Sequence, residues 1–399
     1  MKLTKNNLLE TSNEELAKFF LIFKPDKDEV RKFLEVLEET VCENPEKFIK
    51  NLNPFLKSPY LYVNKIVYSL IIYYLDNKRK INLNKIFDFL IDYINSTDFW
   101  TEKYDLVKNT ENSKYYTILE TINNFIITQN VKILKGFSKT YLIKAIKLML
   151  LIIDKLLTFD TDCFNNDSLI VNPVEQTIQS LLVLGIRHKI LRQRNKINNA
   201  SLEKEIINRF NIIFKKKLIN FYKTFGINIL PFYFLEEKWT KNKVKEILND
   251  DYELWDSFMT NYLFNNKAPH PTIYLLMKEN YEKALDYDYK TNVISFTTID
   301  HIILQYFNDV EKIDYKNGLL RKIFDEYDFE KIHSFLYNLW IYCINNFKPY
   351  RKRKKIREKI RAVLDLIEEN KIKYNRLLEK DEILNKLKEF LPKKIKLDY

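Results

Sequence analysis

Glycine is nearly missing from this chain. Its 399 residues include four, Gly136, Gly185, Gly226 and Gly318, where average usage would be about 7%. Tight hairpins and phosphate-cradling loops need glycine because they need positive φ or close backbone approach. A Walker A loop needs the G-x-x-x-x-G-K spacing and a dinucleotide loop needs G-x-G-x-x-G. The four glycines are too far apart for either, so both nucleotide folds are excluded. A barrel or β-sandwich would also be starved of turn residues, which leaves helices joined by short polar turns. Cysteine is scarce too: Cys42, Cys163 and Cys343 are odd in number and far apart. That excludes a disulfide framework and a C-x-x-C site, and it suits a reducing, cytoplasmic setting. Their neighbours are apolar or acidic, without the positive surroundings that activate a thiolate. The four histidines, His188, His270, His301 and His333, include no pair at helical spacing. No metal set is therefore legible, and none has an arginine at the spacing used by helical ribonucleases. The N-terminus lacks an apolar signal region. The most apolar stretch, residues 141–157, is broken by Lys144, Lys147, Asp154 and Lys155, so it reads as a buried helix and not as a membrane span. No cofactor is implied.

What is present is helical periodicity from end to end. With 46% hydrophobic residues the chain can bury a sizeable core. Ser12 and Glu15 form the pattern of a capping box, and Pro45 suits the first position of a helix. Residues 60–75 are apolar almost all round, as expected of an inner helix. Further helices are predicted near 28–42, 84–95, 112–129, 138–158, 172–195, 200–224, 240–247, 251–264, 270–285, 296–308, 315–326, 328–346, 352–376 and 380–390. This is the grammar of an all-α, HEAT-like or irregular α-solenoid of antiparallel helix pairs, without a fixed consensus repeat. Polar loops at 158–172 and 286–295 suggest N-terminal repeats over 1–160. C-terminal repeats over 161–399 are expected to continue the same superhelix.

The formal net charge is +12, with 66 basic and 54 acidic residues interspersed. Two basic runs stand out. One is Arg187, Lys189, Arg192 and Arg194 around His188. The other is Arg351, Lys352, Arg353, Lys354, Lys355 and Arg357, opening a helix whose apolar residues include Ile356, Ile360, Val363, Leu364 and Ile367. Cations at a helix start oppose the macrodipole by roughly 0.3–1 kcal/mol each, so a phosphate partner is one reading of the second run. A solvated face is the other.

Residues 221–285 carry a longer pattern: Gly226, Leu230-Pro231, Trp239, Trp255 with Phe258, Tyr262-Leu263, Tyr274, Leu276, and Tyr281 with Ala284. This pattern resembles the C-terminal helical region of large prokaryotic antiphage defence proteins, the STAND-type NTPases and their sirtuin- or nuclease-fused relatives. Weaker similarity extends over residues 13–340. The resemblance implies a non-catalytic α-solenoid that senses a trigger or mediates assembly, with catalysis in upstream domains that this sequence lacks. Packing alone accounts for Trp239 and Trp255, so Gly226, Pro231, Trp239, Trp255, Tyr262 and Tyr281 are expected to be structural. The expected partner is a protein, either an NTPase or effector subunit or a phage protein, with no membrane. A nucleic-acid-binding protein using 187–196 and 351–361 is the alternative, and an enzyme whose site is assembled from distant residues is a third.

Overall fold

The computed structural model describes residues 4–23, 26–76, 81–101, 116–130, 136–159, 173–194, 196–197, 200–286, 293–327, 329–346, 350–369, 373–374 and 382–391. It is all-α: no strand occurs among the described residues. The chain forms two compact units, one of Met1–Thr224 with Phe234–Glu236, the other of Phe225–Tyr233 with Glu237–Tyr399.

The first unit holds α1 (Lys5–Glu10), α2 (Asn13–Ile22), α3 (Lys27–Glu43), α4 (Pro45–Lys50), a 3-10 turn (Asn53–Lys57), α5 (Tyr60–Asp76), α6 (Leu83–Asn95), α7 (Thr97–Thr101), α8 (Tyr116–Asn130), α9 (Lys139–Phe159), α10 (Pro173–Gln193) and α11 (Ser201–Lys215). The chain crosses between units within α12 (Ile219–Ile227) and α13 (Ile229–Leu235). The capping box is formed as the sequence predicts: the Ser12 hydroxyl accepts from Glu15 N while the Glu15 carboxylate accepts from Ser12 N. A second box, Asp26 with Glu29, starts α3.

Packing in this unit follows an alternating rule. Helix α3 packs on α5, α5 on α8, and α8 on α10, while the 3-10 turn packs on α6, α6 on α9, and α9 on α11. With the short α4 and α7 set aside, successive elements alternate between the two rows, and α10 ties the rows together through α9 and α11. This explains why α9 is apolar on several faces. Leu142, Ala145, Ile146, Leu148, Met149, Ile152, Ile153 and Leu156 are all fully buried, because α6, α10 and α11 surround them. No described helix is long and apolar enough to cross a membrane.

The expected boundary at 160/161 lies beside residues 160–172, outside the described residues. Helices α9 and α10 flank it, pack on each other and belong to one unit, so the division falls after Thr224 instead. Three helix boundaries also differ from the sequence reading. The predicted helix 200–224 is cut at Lys217, whose φ is 52°, a left-handed conformation that ends the regular hydrogen bonding. The predicted helix 270–285 breaks at Met277 into α16 (Pro271–Leu276) and α17 (Lys278–Leu285). Helix α13 falls in a stretch for which the sequence reading predicts no helix. Pro231 is its third residue, where the missing N–H would have no helical partner anyway.

The second unit is organised differently. Its remaining helices are α14 (Glu237–Leu248), α15 (Tyr252–Asn265), α18 (Val293–Phe307), α19 (Leu319–Glu326), α20 (Phe329–Asn346), α21 (Tyr350–Glu369) and α22 (Glu382–Lys388). Helix α18 is the hub: α15, α17, α19, α20 and α21 all pack on it. A helix enclosed on so many sides must bury its polar residues too, and Ser295, Thr298, His301 and Gln305 are all buried.

Candidate functional site

The first basic run is turned inward. Arg187 is 5% exposed and donates from Nε and Nη2 to the Phe137 carbonyl at 3.1 and 2.6 Å. Lys189 donates to the carbonyls of Phe234 and Leu235 at 3.0 and 2.9 Å, neutralising the C-terminal end of α13. Arg192 forks onto Glu203, Nε to Oε1 at 3.1 Å and Nη2 to Oε2 at 2.9 Å. His188 Nδ1 meets the same carboxylate at 3.0 Å. Only Arg194 of this group stays exposed, past the end of α10. Of the basic cluster expected at 187–196, Arg187, Lys189 and Arg192 are thus engaged in pairs within the first unit. Burial pushes the Glu203 carboxyl up, but hydrogen bonds from His188 and Arg192 outweigh it, and the net direction is down. Replacing Glu203 by Gln removes a charge-assisted fork and leaves Arg192 and His188 half-satisfied. A loss of about 1–3 kcal/mol is expected, to be read by urea denaturation. A variant as stable as wild type would show that Arg192 and His188 find water instead.

The second basic run lies on the first half of α21. Lys355 Nζ is 2.5 Å from Asp309 Oδ2 and Lys359 Nζ is 2.8 Å from Asp309 Oδ1. These two hydrogen bonds hold the Asp309 carboxyl down, at about 2. Arg357 donates to the Phe390 carbonyl at 3.1 Å, Arg353 is half-buried, and Lys354 reaches Glu358 only at 3.9 Å. The side chains of Arg351 and Lys352 lie outside the described residues. This run is thus partly neutralised, with Lys354 still open to solvent.

The residues of the 221–285 pattern come together as the core of the second unit. Gly226 lies against the backbone of α15: a Cβ there would stand 2.3 Å from the Phe258 carbonyl oxygen. Trp239 stacks on Phe232 and meets Phe225 edge-on. Trp255 is fully buried, and its indole N–H donates to Asn280 Oδ1 at 2.9 Å. Tyr262 and Tyr281 share a hydroxyl–hydroxyl bond of 2.7 Å, and Tyr281 also meets His301 Nδ1 at 2.8 Å. Beside them the Tyr274 hydroxyl donates to Glu311 at 3.0 Å. Buried polar groups of this kind must be paired, and the partners specify one packing of the core. His301 is buried, whereas its chain neighbour Asp300 is exposed. Trp255, Tyr262 and Tyr281 are thus buried within the second unit, while Pro231 is half-buried.

An open groove in the first unit escaped the sequence reading. Its walls are one stripe of α5 (Asn64, Lys65, Tyr68, Ile72, Leu75) and one stripe of α8 (Thr117, Glu120, Thr121, Asn124, Phe125, Thr128), with Glu38 of α3 at one side. Its volume is about 510 Å³. Ile71, Ile72, Leu75 and Phe125 give an apolar lining. Tyr68, 39% exposed, stands beside it. Polar groups are held at the edges: Thr121 donates to Asn64 Oδ1 at 2.9 Å, and Lys65 meets Glu38 at 2.6 Å. The stripe on α8 runs from Thr117 to Thr128, roughly 16 Å at the helical rise. The groove's α5 wall, Asn64, Tyr68, Ile72 and Leu75, stands at i, i+4, i+8 and i+11 on the helix over 60–75 that reads in the sequence as apolar almost all round.

Among the described residues no three His, Cys, Asp or Glu side chains are grouped so as to hold a metal ion. Burial pushes the Cys343 thiol up to about 12. Cys42 is raised by burial first and then by Glu38. Neither is an activated thiolate, and Cys163 lies outside the described residues. No family profile, curated protein or solved structure matches this chain.

Proposed function

We propose that this chain is a non-catalytic, HEAT-like helical scaffold that recognises a protein partner through the α5–α8 groove, as the sensor or assembly part of a prokaryotic antiviral defence system. The groove is the observation that carries the reading. An apolar lining edged by paired polar groups is the layout of a protein interface, with its dry centre and wet rim. Its length suits about three turns of a docked helix, and helix-in-groove recognition uses anchors at the same i, i+4 spacing as the groove walls. The alternating rows of the first unit support the solenoid half of the proposal, since solenoids stack each element on the next of its own kind. The defence setting rests on the resemblance of residues 221–285, and the partner in that setting is an NTPase or effector subunit or a phage protein.

The test is site-specific crosslinking. A photoreactive phenylalanine analogue replaces Tyr68 in one strain and exposed Lys18 in another, and both strains are infected. The expected result is one discrete protein adduct from position 68 that is absent from position 18 and is lost when Ile72 is changed to Arg. Equal adducts from both positions, or none from position 68, would overturn the groove as the recognition site.

A further inference from the structure

Asp309 sits where a ligand anion would sit. It follows α18 directly in left-handed backbone, φ 63°, a conformation Asp and Asn tolerate better than most residues. The turn is fixed by Val310 N and Glu311 N, which both donate to the Gln305 carbonyl. The carboxylate is thereby delivered between two lysines one helical turn apart on α21, with one oxygen on Lys355 and the other on Lys359. Lys359 is fixed in turn. Its ammonium lies 4.2 Å from the centre of the Tyr306 ring, and the Tyr306 hydroxyl donates to its backbone carbonyl at 3.0 Å.

These groups line an open cleft of about 750 Å³, together with Lys312, Asp314, Lys354 and Glu358. Four lysines face three carboxylates there, and Asp309 supplies the only carboxylate within 3 Å of two of those lysines among the described residues. The side chain of Asp309 is 54% exposed, so its ion pairs belong to the weak, solvent-screened class. A phosphate group carries more acceptor oxygens than a carboxylate. It could therefore hold Lys355 and Lys359 and still reach Lys354 or Lys312.

We propose that this cleft binds the phosphates of a nucleic-acid strand, and that Asp309 occupies the phosphoryl position until the strand displaces it. The tethered carboxylate keeps the lysines positioned and sets the threshold for binding. An extended ligand is favoured over a single small anion because the cleft is open and its four lysines are contributed both by α21 and by the turn that carries Lys312. The Proposed function concerns a groove in the other unit, so the two readings stand or fall separately.

The test uses the full chain and a fluorescent oligothymidylate, with binding read by anisotropy at low and at physiological salt. Asp309→Asn keeps the side-chain shape and its tolerance of positive φ while removing the competing charge. It is expected to tighten binding about 3- to 30-fold, the sum of two exposed ion pairs. Lys355→Gln with Lys359→Gln is expected to abolish the gain and to flatten the salt dependence. The exposed single variant Lys354→Gln, which makes no packing contact essential to the fold, is expected to weaken binding less but in the same direction. Inorganic tripolyphosphate serves as the free-phosphate arm. Equal affinity of wild type and Asp309→Asn overturns the proposal, as does binding that survives loss of both lysines. An oligonucleotide that binds no tighter than tripolyphosphate overturns the assignment to a strand.

Discussion

Replacing Gly226 by Ala is expected to destabilise the protein by about 3 kcal/mol, the upper part of the range for overpacking. The added Cβ would stand 2.3 Å from the Phe258 carbonyl oxygen and 3.0 Å from the Tyr262 backbone nitrogen. Both are backbone atoms of α15, so no side chain can turn aside. Helix α12 must move away from α15, which disturbs Phe225 stacked on Phe258 and Trp239 packed on Phe225. Asn266 would lose its hydrogen bond to the Gly226 carbonyl as well. Gly185 is the control. Its Cβ would meet only the methyl ends of Leu235 and Ile206, at 3.0 and 3.1 Å, and these can shift. Alanine in mid-helix also gains about 1 kcal/mol over glycine. Gly185→Ala should therefore lie within about 1 kcal/mol of wild type. Urea denaturation of both variants decides the matter: equal stability would mean that the α12–α15 approach is not a close one.

The second large effect is a dependence on acid carried by His301. The ring is 1% exposed, and burial pushes its pKa down from 6.5 to about 4, with the Leu263 backbone pulling the other way. In the unfolded chain the ring takes up its proton near 6.5, whereas in the fold it resists until about 4. The unfolded state thus binds more protons across this window, and stability falls as pH falls. The contribution is complete above pH 6.5, declines below it, and has been lost by pH 4. It amounts to about 3 kcal/mol in total. Glu311 acts in the opposite sense, since burial raises its carboxyl against the help of Tyr274 and the backbone of Leu319 and Leu320. The clean quantity is therefore the difference between wild type and His301→Gln, in which Glu311 cancels. The melting temperature of the variant should be lower at neutral pH and should fall less steeply towards pH 4.5. Parallel curves for the two proteins would show that His301 does not stay neutral in the fold.

Much of this architecture is written in local rules. The all-α class follows from the scarcity of glycine and from helical periodicity, and the Ser12–Glu15 cap is a short-range signal that nothing later overrides. Trp255, Tyr262 and Tyr281 stand out in the sequence through the pattern over 221–285, and all three are buried. What the sequence hides are relations across long separations. Nothing near Arg187 announces that its guanidinium will meet the carbonyl of Phe137, fifty residues away. Charge counting alone therefore reads an internal strut as a surface. Lys355 and Lys359 look like free cations until the turn after α18 brings Asp309 between them. The groove is hidden for the converse reason: Tyr68, Ile72 and Leu75 look like core, and only the placement of α8 leaves them facing an open channel. The break at Lys217 is hidden because lysine is an ordinary helix residue, and nothing in its type marks the left-handed backbone it adopts.

The contrast between rows and hub bears on how such a chain can change over evolutionary time. In the first unit a helix answers mainly to its neighbours of the same row. A helix pair can be duplicated, lost or exchanged at a row's end while the remainder keeps its contacts. In the second unit five helices answer to α18, so a change in that helix asks for matching changes in all five at once. Change is therefore easy in the first unit and slow in the second, and sequence diversity is expected to accumulate along the rows.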